Sequence, residues 1–203
     1  FVRELAKLGN VYVNDAFGTA HRAHASTALI CKYIKPSVAG FLMEKEIQYL
    51  GNAVSDPKRP FIAIVGGAKV SGKLEVLKSL MEKVNTILVG GGMAYTFLKA
   101  QGHQIGGSLC ENELLETAKE TLKLAESKGV KFMLPVDNVI ADKFDNAANI
   151  ENVGIEISEG WMALDIGPKT VEAYKNEIKN AKTIVWNGPM GCFEMSNFAN
   201  GTM

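Results

Sequence analysis

The sequence predicts an α/β protein with a largely parallel sheet and flanking helices. Three observations lead there. Short apolar runs rich in β-branched residues, Phe61-Ile62-Ala63-Ile64-Val65 and Thr183-Ile184-Val185-Trp186 among them, stop at or beside glycines. Helical patterns follow those glycines at short range. The alternation repeats from Pro60 almost to the end of the chain, which is the rhythm of right-handed βαβ units.

Taken in order, Phe1, Leu5 and Leu8 recur at helical spacing and Gly9 ends the run. Val11-Tyr12-Val13 reads as a short strand closed by Asn14-Asp15. Residues 21–32 are mixed, with an Ala-rich helical stretch, and Pro36 and Gly40 break it. Residues 41–50 predict a helix with Phe41, Leu42, Ile47 and Leu50 on one side. Ser55 to Pro60 is a loop, so a domain boundary falls around 35–58 with the helix itself as connector. Beyond it the expected strands are 61–65, 86–89, 131–134, 138–141 and 183–186. The expected helices are 71–84, 93–101, 111–128 and 168–180. Ligands of such sheets lie beyond the carboxyl ends of the strands. Gly66-Gly67, Gly90-Gly91-Gly92 and Gly188 all belong to that edge.

Composition bounds the partners. The 203 residues carry no net charge, so no broad attraction to nucleic acid or to an anionic membrane is expected, and any anion site is local. No apolar run approaches the roughly 18 residues of a membrane-spanning helix. Cys31, Cys110 and Cys192 are odd in number, widely spaced and without a metal-ligand pattern. They read as reduced thiols of a cytosol-like compartment, with plastid stroma an equal fit. The chain opens on Phe1 and closes at Met203, where a helix is expected to start, which reads as a piece of a longer protein.

The chemistry sits in the glycine turns. A buried strand that ends in glycines exposes backbone N–H groups, and the following helix adds its positive dipole end. The first turn is expected to feed a helix that carries Lys69 and Lys73 on one face, four residues apart. Together these suit a polyphosphate rather than a neutral ligand. The string from Gly67 to Lys73 nearly matches the P-loop pattern, but Leu74 replaces the hydroxyl that would hold Mg²⁺. Gly90-Gly91-Gly92 does not continue as a dinucleotide fingerprint, because Tyr95 stands where the third glycine belongs; it still admits a flat group such as a purine, or is a plain tight turn. His21, Arg22 and His24 cluster in one loop. Hydrogen bonding to a small acidic ligand suits them better than metal binding, which lacks further ligands nearby. Glu194, just after a glycine turn, is a candidate for ribose hydroxyls.

In this order the segments DAFGTAHRAHAS (15–26), GFLMEKEI (40–47), VGGAKVSGKLEVL (65–77), ILVGGGMAYTFL (87–98), LPVDNVIA (134–141), WMALDIGP (161–168) and VWNGPMGCFE (185–194) closely resemble phosphoglycerate kinase, over essentially the whole chain. The resemblance implies two Rossmann-like lobes joined by a long helix. Residues 1–35 would be the tail of the N-terminal, phosphoglycerate-binding lobe. Residues 36–56 would form the connector, and 57–203 most of the nucleotide-binding lobe. The implied reaction moves a phosphoryl group between 1,3-bisphosphoglycerate and ADP, giving 3-phosphoglycerate and ATP, with Mg²⁺ and no covalent intermediate. The alternative is a nucleotide-binding module without transfer activity.

The resemblance also implies roles. Lys69 would stabilise the group in flight and Lys73 would hold nucleotide phosphates. Arg22, with His21 beside it, would anchor the phosphoglycerate. Gly67 and Ala68 would line the base or phosphate approach, and Gly91 and Gly92 the adenine slot. Leu109 and Leu164 would wall that slot, with Ala163 against the base where some relatives have Gly. Asn187 would lie on the phosphate side and Glu194 on the ribose. Gly72 stands where Asp is common. None of these is a metal ligand; the acidic Mg²⁺ ligand would lie past Met203, and most basic phosphoglycerate contacts before Phe1. The chain alone is therefore expected to bind nucleotide weakly and not to turn over. A monomeric, cytoplasmic parent protein is expected.

Overall fold

The computed structural model describes residues 1–203, the side chain of Asn52 excepted. The chain divides into two compact units, Phe1–Asp56 and Pro57–Met203.

The first unit runs α1 (Val2–Ala6), β1 (Tyr12–Asn14), α2 (Phe17–Ala20), β2 (Ser37–Ala39) and α3 (Phe41–Ser55). β1 and β2 pair in parallel, with Tyr12 opposite Ser37. The Ala-rich stretch does not become an α-helix; it makes turns that end in a 3₁₀ helix at Leu29–Lys32. Thr27 explains this, because its hydroxyl donates to the Arg22 carbonyl and accepts the His24 N–H, which competes with helical bonding. α3 starts where the Asp15 carboxylate accepts the Met43 N–H at 2.8 Å. Only a glycine fits at position 40, since a Cβ there would collide with the Asp15 carboxylate. The predicted apolar side of this helix, Phe41, Leu42, Ile47 and Leu50, is exposed, and among its described residues the one it buries is Met43, which that side did not include.

The second unit runs β3 (Phe61–Val65), α4 (Leu74–Met81), β4 (Thr86–Val89), α5 (Met93–Ala100) and α6 (Leu115–Ser127). It continues with β5 (Lys131–Met133), β6 (Asn138–Ala141), β7 (Ile150–Val153), β8 (Met162–Ile166), α7 (Pro168–Asn180) and β9 (Thr183–Asn187). β5, β4, β3 and β9 form a parallel sheet in that order. Every residue of β3 is buried, as a strand covered on both faces requires. Its alternate side chains serve two cores. Phe61, Ala63 and Val65 pack with Leu77 of α4, Phe97 of α5 and Ala118 of α6. Ile62 and Ile64 pack with Tyr174 of α7.

Residues 138–141 do not join the parallel sheet. They form the middle strand of an antiparallel sheet ordered β7-β6-β8. The connection from β5 to β6 carries no crossover helix, so β6 cannot return parallel to β5. β7 and β8 escape the sequence pattern: Ile150-Glu151-Asn152-Val153 is half polar, and Met162–Ile166 has a charged residue among apolar ones. The lysine-bearing stretch also differs. α4 begins at Leu74, not at residue 71, because Gly72 disfavours helix and the Val70 carbonyl takes the N–H groups of both Lys73 and Leu74 in a tight turn.

The antiparallel sheet is tied to α7 by Asp137. Its carboxylate, in a residue only 5% exposed, accepts the Lys169 N–H at 2.9 Å, the Thr170 N–H at 2.8 Å and the Thr170 hydroxyl at 2.6 Å. This caps the helix from another element. Asp137→Ala is expected to destabilise the unit by about 2–4 kcal/mol, the sum of a lost cap and buried donors left unpaired. A urea midpoint unchanged from the parent chain would refute that role.

Candidate functional site

Three glycine turns leave the parallel sheet at one height, because Val65 of β3 lies in register with Val89 of β4 and Asn187 of β9. They are stitched together by main chain. The Gly66 N–H donates to the Asn187 carbonyl at 2.9 Å, and the Gly67 N–H to the Pro189 carbonyl at 2.9 Å. The Gly91 N–H donates to the Met190 carbonyl at 2.8 Å, and the Met93 N–H to the Gly67 carbonyl at 2.9 Å. Side chains would prevent this approach. A Cβ on Gly91 would lie 2.6 Å from the Gly67 nitrogen and 2.7 Å from its oxygen, and Gly91 has a positive φ of 67°.

The turns form one wall of a cleft of about 560 Å³, within the range of small-ligand sites. Gly67, Ala68, Gly91 and Gly92 line it on the parallel-sheet side. Ala163 and Leu164 of β8, Leu109 and Glu194 belong to the same lining. Leu109 is 62% exposed yet presses on Gly92, where a Cβ would come within 2.8 Å of its Cδ1. The wall at Ala163 is held by the Ser108 hydroxyl, which accepts its N–H at 3.0 Å.

Several lining residues are ones sequence reasoning missed. Phe144, 68% exposed, reaches the cleft from the β6–β7 connection; an isolated aromatic in the polar run Asp142–Asn146 was its available signal. Tyr95 of α5 also lines it and donates to the Asn138 side chain at 2.9 Å; burial pushes its phenol well above the usual range. Asp165 of β8 is 2% exposed and faces the same space. Its Oδ1 accepts the Ile166 N–H at 2.9 Å and its Oδ2 the Gly201 N–H at 2.8 Å. Burial pushes its carboxyl up to about 6, against the pull of those two N–H donors. No spacing in the sequence marked Asp165, because Gly201 is distant along the chain. Cys192, beside Asp165 and Glu194, is also held above its usual range by burial.

Lys69 and Lys73 do not share a helix face. Both lie in the loop before α4, Lys69 exposed and Lys73 at the N-cap position. They are outside the cleft lining, on the loop that continues from Gly67 and Ala68. Asn187 ends β9 at the same edge and is exposed. Arg22 and His21 belong to the first unit, exposed in the turn after α2. Among the described residues, no three His, Cys, Asp or Glu side chains converge as a metal site.

The family model "Phosphoglycerate kinase" matches residues 1–203. A phosphoglycerate kinase of Chloroherpeton thalassium is 58% identical over 204 residues, covering 100% of this chain and 51% of the relative. One of Clostridium botulinum is 56% identical with the same coverage. Among solved structures, phosphoglycerate kinase from Coxiella burnetii superposes with a TM-score of 0.84 at 44% identity, over 99% of this chain and 52% of that one. That from Pyrococcus horikoshii superposes at 0.82 with 32% identity, over 98% and 51%. The chain thus spans about half the length of the curated relatives it matches.

The raised Asp165 carboxyl has a definite linkage. The folded state binds its proton more tightly than the unfolded state, whose value is near the ordinary 3.8. The stabilisation it contributes is complete below about pH 4 and is lost as pH rises through about 6. Asp165→Asn cannot titrate. Its stability relative to the parent chain is expected to improve from pH 4.5 to pH 7.5, read from urea midpoints. An equal difference at both pH values would contradict the assignment.

Proposed function

Because the chain belongs to the phosphoglycerate kinase family, we propose that it carries the nucleotide half of an enzyme that transfers a phosphoryl group between 1,3-bisphosphoglycerate and ADP, giving 3-phosphoglycerate and ATP. The observation that carries this reading is the convergence of the three glycine turns on one sheet edge, with an apolar slot on one side and a lysine loop on the other. In this reading residues 57–203 are the nucleotide lobe, 36–56 the connector and 1–35 the tail of the phosphoglycerate lobe. The parent protein is taken as a monomer of the cytoplasm that binds neither nucleic acid nor membrane.

The physics of the transfer suits these residue types. Phosphoryl transfer asks for positioning and charge neutralisation more than for acid–base groups. A purine would lie flat against Gly91 and Gly92, between Leu109 and the Ala163–Leu164 wall, with Phe144 over the opening. Glu194 at the lining would take the ribose hydroxyls. The phosphates would run toward Gly67, Ala68 and Asn187 and the exposed N-terminus of α4, whose dipole favours anions. Lys73 would neutralise the nucleotide phosphates, and Lys69 the charge that develops as the group moves. Arg22, with its planar fork, and His21 would hold the phosphoglycerate. Mg²⁺ is required by family analogy to screen the phosphates. Among the described residues, no three or more His, Cys, Asp or Glu side chains come together to hold it.

Calorimetry with MgADP tests the binding reading: saturable heat at millimolar nucleotide supports it, and none refutes it. The lysine roles are tested in the full-length protein. Lys69→Ala is expected to lower kcat by on the order of 10²–10³-fold, as for a lost transition-state donor, with a much smaller change in ADP affinity. Lys73→Ala is expected to weaken ADP binding about tenfold, the scale of a charge-assisted hydrogen bond. A Lys69→Ala variant with intact kcat and a raised KM would reverse the assignment.

A further inference from the structure

The lysine loop is braced from outside by a residue that no binding role has absorbed. Glu111 lies between α5 and α6, just before a 3₁₀ turn at Asn112–Leu114. Its Oε2 accepts the Ser71 N–H at 2.9 Å. Ser71 sits between Lys69 and Lys73, on a stretch whose buried anchor is Val70, 0% exposed. Glu111 is itself fixed, because its own N–H donates to the Thr96 hydroxyl at 3.1 Å. Thr96 is 1% exposed on α5, the helix that follows Gly90-Gly91-Gly92. Two residues earlier, Leu109 presses on Gly92. A short segment, 109–111, therefore touches the slot wall at one end and the lysine loop at the other.

The carboxylate is well suited to this. Burial works to raise it, but hydrogen bonds from Ser71 and Val70 and the positive charge of Lys69 together hold it below the usual range. It stays charged at neutral pH, and N–H groups donate more strongly to a carboxylate than to a neutral oxygen. Ala68, Lys69, Ser71 and Gly72 are exposed, and the loop's other anchor is Val70, whose side chain is buried and whose carbonyl takes the Lys73 and Leu74 N–H groups.

We propose that Glu111 is a positioning residue for phosphoryl transfer: by holding the Ser71 backbone it sets where Lys69 and Lys73 stand relative to the nucleotide slot. This rests on the reading of the two lysines given above. Glu111 touches no substrate and acts through the loop, so its loss falls on kcat more than on stability.

Two readouts on the full-length protein test it: amide exchange at Ser71 and steady-state kinetics. Glu111→Ala is expected to raise Ser71 exchange and to lower kcat, each by roughly tenfold, the scale of one hydrogen bond to a charged group. Glu111→Gln keeps an acceptor and is expected to restore most of both losses. Thr96→Val, which frees the Glu111 main chain while conserving volume, is expected to shift both in the same direction by about threefold, on the scale of one neutral hydrogen bond; it serves if Glu111→Ala does not fold. Unchanged Ser71 exchange in these variants overturns the inference, as does a kcat within twofold of the parent despite faster exchange. A parent enzyme that makes no ATP from ADP and 1,3-bisphosphoglycerate overturns the functional reading beneath it. An active parent with indifferent Glu111 variants overturns the inference alone.

Discussion

The second unit depends on backbone meeting backbone at the end of β3. Gly66, Gly67 and Gly91 bond directly to the main chain of residues 187–190 and of each other's turns. Such contact needs residues without Cβ, since a methyl at Gly66 would collide with the Pro189 carbonyl and one at Gly188 with the Gly66 carbonyl. The cost is conformational freedom surrendered on folding. It is offset by the fully buried strand that carries the first turn, whose side chains fill two cores at once. The hydrophobic sheet supplies the stability, and the glycine edge uses part of it to hold open a mostly apolar cleft.

The rest of the cleft is arranged around that edge. Met190 lies beneath Gly66 and Gly90, and the Cys192 N–H reaches across to the Leu164 carbonyl at 2.8 Å. Asp165 binds Gly201 and crowds Gly191, so both flanks of the last segment are drawn onto β8. The antiparallel sheet thereby becomes the second wall. Its own position is set by polar pairs, Tyr95 with Asn138 and Asp137 with Thr170, each buried with its partner satisfied. Buried polar pairs of this kind fix one arrangement where apolar contacts alone would tolerate several.

What could be read from the sequence follows from how local each cause is. β3, β4 and β9 were legible because an apolar run and a glycine stop lie within a few residues. Their shared edge is legible because parallel strands point the same way and put their carboxyl ends on one edge of the sheet. Leu109, Ala163 and Leu164 carry no local signal for a cleft and rest on resemblance to a family alone, whereas Glu194 is marked by its place just after a glycine turn. In the structure all four line one opening with Gly67, Ala68, Gly91 and Gly92. The lysine spacing of four suits a helix as well as this loop, and Gly72 is the one local residue that argues for the loop. β7 and β8 were missed since their pairing partners, not their own residues, make them strands. Asp165 and Glu111 were invisible: each acts on an N–H far along the chain, and an isolated carboxylate in a sequence carries no mark of what it will meet.

The claim at the centre is that this glycine edge and the slot beside it form one nucleotide site. The most direct measurement is an amide chemical-shift titration of the ¹⁵N-labelled 203-residue chain with MgADP. The account predicts saturable shifts concentrated at Gly67, Ala68, Gly91, Gly92, Leu109, Ala163, Leu164 and Glu194, with Ser71 and Lys73 moving with them. Shifts confined to other parts of the second unit, or a flat titration of a folded chain, would contradict it.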